Sequence, residues 1–94
     1  MGVEIYYKVI WNEYELDGTP VPKTLLYKYY GHDYLLIYLP ITKDWGGTLY
    51  NSIHDVMKVC HCVSTSVIVT EDDLNKVLEE IQVEIMIKEL IEKG

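Results

Sequence analysis

The chain contains no arginine, no alanine and no phenylalanine. With lysine as its only basic residue it has no guanidinium fork to hold phosphate or carboxylate in two-point contact, so phosphoryl-transfer chemistry lacks its usual clamp. Positive charge of any kind is scarce: 8 lysines face 15 aspartates and glutamates, a net charge of −7. That balance disfavours direct binding to nucleic acid or to an anionic membrane surface, both of which rest on neutralising phosphates. Long apolar runs are absent too, the longest candidate being Leu35 to Leu39, far below the ~20 residues of a membrane span. Met1-Gly2-Val3-Glu4 shows no basic stretch followed by an apolar one, so a soluble, intracellular protein is expected. Cysteine is limited to Cys60 and Cys62, too close for an easy disulfide with each other and expected as free thiols.

What remains is rich in tyrosine (9) and 49% apolar over 94 residues, which excludes a disordered tail and suits one small domain, residues 1–94. A core of that size is packed economically or gains stability by self-association. Val3 to Glu15 alternates, with Val3, Ile5, Tyr7, Val9 and Trp11 on one parity, the period of a strand with one buried face. Leu16 to Pro22 gathers turn formers and two prolines and reads as a loop. Thr24 to Tyr30 and Tyr34 to Leu39 are β-rich runs joined by Gly31-His32-Asp33, a tight hairpin connection. Pro40 to Gly47 ends the β-rich half. From Thr48 to about His61, Leu49, Ile53, Val56 and Cys60 recur at helical spacing, with Met57 beside them. Val63 to Val69 then alternates as a fourth strand, and Thr70, with Asp73 in the capping-box place, opens a last helix running nearly to Lys93. The order βββαβα predicts an α+β fold: a four-stranded, mainly antiparallel sheet with two helices on one face.

The last helix carries two opposed stripes. At about 100° per residue, Leu74, Val77, Leu78, Ile81 and Ile85 share one sector, while Val83, Ile87 and Leu90 fall nearly opposite, flanked by Met86 and Ile91. Lys88 and Glu92 take over the first sector, so the apolar side changes near residue 83. One sheet cannot cover both stripes of a straight helix. The second is expected to curl into a nook of its own or, more economically, to pack on a symmetry mate, giving a homodimer with Val83, Met86, Ile87, Leu90 and Ile91 at the contact. A fifth strand over Gln82 to Lys88, which also alternates, is the alternative; its helix-forming residues and the lack of a preceding turn signal speak against it.

His54, Cys60, His61 and Cys62, with His32, are the donors from which a metal site or a nucleophile, Cys62 with His32 or His54 as base, would be built. The C-x-C spacing is too tight for a usual zinc site, and Cys60 on an apolar face is a packed thiol. Trp45-Gly46-Gly47-Thr48 is too short for a phosphate cradle. No metal, cofactor or catalytic residue is expected. The tyrosines point elsewhere: Tyr6 and Tyr14 share one parity of the first strand, and Tyr30, Tyr34 and Tyr38 share parity across the hairpin, placed to line the sheet face away from the helices. With Glu4 and Glu13 they make an acidic, aromatic surface suited to docking on a basic protein; the simpler role for such rings is cross-strand packing.

Val3-Glu4-Ile5-Tyr6-Tyr7-Lys8-Val9-Ile10, the loop Leu16-Asp17-Gly18-Thr19-Pro20, and Asp55-Val56-Met57-Lys58-Val59-Cys60-His61-Cys62 resemble stretches of the small acidic proteins of archaeal rod-shaped and filamentous viruses that include the type I-D anti-CRISPR inhibitor. The resemblance implies a dimeric, non-enzymatic α/β inhibitor in the cytoplasm of the host cell, bound to the large subunit of the type I-D interference complex. Two other functions stand beside it: a DNA mimic or small transcription modulator, whose carboxylates would form a phosphate-like row, and a small His/Cys-dependent hydrolase or nuclease, which would need a convergent pocket.

Overall fold

A computed structural model describes residues 4–31, 34–59 and 61–93, the side chains of 92 and 93 apart. Val3, His32, Asp33 and Cys60 therefore lie outside the described residues. The elements in chain order are β1 (Tyr6–Tyr14), β2 (Pro20–Tyr30), β3 (Tyr34–Leu39), β4 (Asp44–Gly47), α1 (Ile53–Val59), β5 (Cys62–Ile68) and α2 (Glu71–Lys93). The strands form one antiparallel sheet in the order β4-β3-β2-β1-β5. The fold is α+β, with five strands where four were expected. The added strand, β4, comes from the segment assigned as the end of the β half: residues 40–43 turn tightly, with Lys43 left-handed at φ 55°, and set Trp45 opposite Tyr38.

The helices lie on opposite faces rather than on one. Alternation along β2 decides this, since Leu26 and Tyr27 are both buried yet must point to opposite sides. Tyr27 joins Val9, Leu35, Ile53 and Val56 in a core beneath α1, while Leu26 joins Ile68, Val77 and Ile81 in a second core beneath α2. A sheet whose strands carry apolar residues on both parities needs two covers, and the first strand's odd parity alone did not reveal the second.

Two boundaries also differ from expectation. β2 begins at Pro20, inside the segment read as a loop, because its prolines cost no ladder bonds. Thr24 donates its backbone N–H to Glu84, 3.1 Å away, and not to β1. Its even-numbered neighbours Pro22 and Pro20 would aim their missing N–H groups to that same outer side, beyond the stretch of β2 that pairs with β3. α1 is shorter than the expected helix: Ser52 caps it by accepting the backbone N–H of Asp55 (3.3 Å), and Leu49 stays exposed in the preceding turn. Among the described residues no helix is long and apolar enough to cross a membrane.

Candidate interaction surface

The thiol and imidazole donors do not converge among the described residues. His54 is exposed on α1, His61 packs edge-on against Tyr14 with ring centres 5.1 Å apart, and the Cys62 sulfur lies 3.2 Å from the Thr65 hydroxyl and 3.4 Å from the Ser64 carbonyl. No group of three or more His, Cys, Asp or Glu side chains there is placed to hold a metal ion.

The tyrosines share the sheet face their parity predicts, but that face is the one α2 covers. Tyr6 and Tyr38 flank Trp45, with ring centres 5.8 and 5.4 Å from the indole, at the margin of the core beneath α2. Lys28 caps the cluster, its Nζ 4.4 Å from the Trp45 ring centre and 3.9 Å from a Glu4 oxygen. Glu4 also accepts a hydrogen bond from the Tyr6 hydroxyl, and this bond, helped by burial and by the carboxylate's charge, pushes the phenol up to about 12. Tyr30 and Tyr34 stay 69% and 53% exposed at one end of the sheet. Tyr14 stands at the other end, roughly 25 Å from Tyr6 by strand rise, near Glu13, which is engaged by Lys23 at 2.9 Å. The seven candidate residues are thus divided between two ends of the sheet, and both glutamates already face a lysine.

An exposed apolar ridge runs along α2. Thr70 opens the helix as the sequence predicts, accepting the Asp73 N–H at 3.2 Å and donating to the Asp73 carboxylate at 2.8 Å. Val77 and Ile81 are buried on the sheet, with Leu74, Leu78 and Ile85 packed around them. Glu80 reaches Lys8 of β1 at 2.8 Å, and Glu84 accepts from both the hydroxyl (2.6 Å) and the backbone N–H (3.1 Å) of Thr24. Past that contact the inward sector holds Lys88, while Val83, Met86, Ile87, Leu90 and Ile91 stand 52–74% exposed on the outer side. An open depression of about 520 Å³, lined by Lys76, Glu79, Glu80, Val83 and Glu84, borders the ridge. The helix carries eight carboxylates against three lysines, most of the chain's net charge of −7. The arrangement is therefore an apolar strip continued by an acidic one along a single rigid element. No protein family, curated protein or solved structure matches this chain.

Proposed function

We propose that this protein is a non-enzymatic binding module that acts by occupying an electropositive protein surface through the outer side of α2. The observation that supports this most is the strip Val83, Met86, Ile87, Leu90 and Ile91, exposed on a helix whose other apolar sector is already covered. Apolar side chains dock into a groove, and Glu79 with its acidic neighbours favours a basic rim and speeds encounter. The likeness of its sequence stretches to the viral inhibitors makes the large subunit of a type I-D interference complex the first partner to test. Binding of that purified subunit should weaken roughly tenfold or more in Leu90→Glu, and its association rate should fall with salt. Unchanged affinity in Leu90→Glu would remove α2 from the contact. No binding by the parent would remove this partner.

A second reading is that the strip packs on its own copy. It is favoured by the spacing itself, since an antiparallel crossing sets Val83 against Leu90 and Met86 against Ile87.

A further inference from the structure

β5 is the outermost strand on its side of the sheet, and its free edge lacks the charges and prolines that usually keep an edge solitary. The other exposed stretches have them: β4 is four residues long with Asp44 at its start, and the length of β2 without β3 beside it carries Pro20, Pro22 and Lys23. β5 has neither proline nor charge, since no charged residue occurs from Cys62 to Thr70 in a chain that is 24% charged. Its one irregularity, the register shift at Ile10/Trp11 opposite Val63, leaves Ser64 to Ile68 regular.

The sequence of that edge is a palindrome, Val63-Ser64-Thr65-Ser66-Val67. We propose that two copies of this chain join edge to edge through β5, antiparallel about Thr65, in a continuous ten-stranded sheet. In this register Val63 faces Val67 across the two-fold, Ser64 faces Ser66 and Thr65 faces itself, all favourable cross-strand pairs with no like charges opposed. The backbone is set for it. Since Thr24 turns its N–H away from β1, antiparallel alternation directs Ile10 and Lys8 to bond Ser64 and Ser66 and leaves the N–H and C=O of Thr65 and Val67 pointing outward. Val63 and Val67 are 60% and 59% exposed, and Val67, opposite Tyr7, lies on the α1 face.

Charge supports a second copy over any other strand. Lys58 leads into β5, while Glu71, Asp72 and Asp73 follow it. Antiparallel pairing brings the basic entry of each copy beside the acidic exit of the other, at both ends of an uncharged seam. A two-fold perpendicular to the sheet also keeps both α2 helices on one side, so the assembly presents two ridges in the same direction and binds a repeated or two-fold partner with avidity.

Sedimentation equilibrium tests the seam. The parent should have twice the chain mass of 11.0 kDa, and Val67→Lys, which places an ammonium in the seam, should halve it while keeping the circular dichroism of a folded chain. Val67→Pro is the second variant: it removes an outward N–H and leaves the ladder to β1 intact, as Pro22 does on β2. Ile87→Glu, on the α2 ridge, should keep the parent's mass. Hydrogen exchange at Thr65 and Val67 should slow as concentration rises through dimerisation. A parent of single-chain mass, a dimer that survives both Val67 variants, or a dimer lost in Ile87→Glu overturns the proposal.

Discussion

The two parts of α2 share one helix and obey opposite rules. From Glu71 to Ile85 its apolar residues, Val83 apart, point at the sheet, its first turn is capped by Thr70 and its flanks are tied by Glu80 and Glu84. From Met86 onward no such tie follows among the described residues, lysine takes the inward sector, and the apolar side faces out. The division falls where the sheet stops needing a cover, at Thr24, beyond which β2 is Lys23, Pro22, Val21 and Pro20. Averaged over its length, the helix has almost no net amphipathic direction. Taken in two parts it has two strong ones, the first spent on folding and the second left available for contact.

The largest expected effect separates the parts directly. Ile81→Ala removes a buried side chain from the core beneath α2 and should cost about 2–5 kcal/mol in urea unfolding, whereas Ile87→Ala should change stability by less than about 0.5 kcal/mol. Equal losses would mean that the ridge is part of the monomer's core. A middle-sized effect belongs to the boundary itself. Glu84→Ala leaves the Thr24 N–H and hydroxyl without their shared acceptor and should cost about 1–2 kcal/mol; Glu84→Gln, which keeps one acceptor oxygen, should recover part of it. A neutral Glu84→Ala would show that the tie does not hold α2 down.

Much of this was legible in the sequence. The period of two in β1, the hairpin of β2 and β3, the threonine cap and the change of apolar sector all reflect local chemistry that one segment carries by itself. What was not legible depends on neighbours. Pro20 and Pro22 are strand residues because the side of β2 that lacks their N–H groups has no β3 beside it. The short β4 is held by Trp45, which fills the space between Tyr6 and Tyr38 and accepts Lys28 over its ring, a role that no periodicity in Asp44-Trp45-Gly46-Gly47 announces. The tyrosines' shared face was legible, but not which helix covers it, since that requires knowing that both faces of β2 are buried. The palindrome of β5 is plain in the sequence and acquires a meaning only once β5 is placed at an open edge.

The smallest expected effect sharpens the comparison at the start of the anchored part. Thr70 supplies an acceptor for the Asp73 N–H, donates its hydroxyl to the Asp73 carboxylate, and accepts the Leu74 N–H with its carbonyl at 3.1 Å. Thr70→Ala deletes the two side-chain bonds but not the last, and should cost about 1 kcal/mol, near the centre of the range for losing a cap. Thr70→Ser should restore nearly all of it, because the hydroxyl is what the cap uses. The site is exposed, so the loss should come from the helix terminus alone and appear as faster hydrogen exchange at Asp73, with the amides around Ile81 protected to the limit set by global stability. If the parts are separate, affinity for a partner held by the outer strip should not move in Thr70→Ala. A drop in affinity with an intact fold would show instead that the first turn of α2 is itself a contact, and would extend the interaction surface along the whole acidic side of the helix.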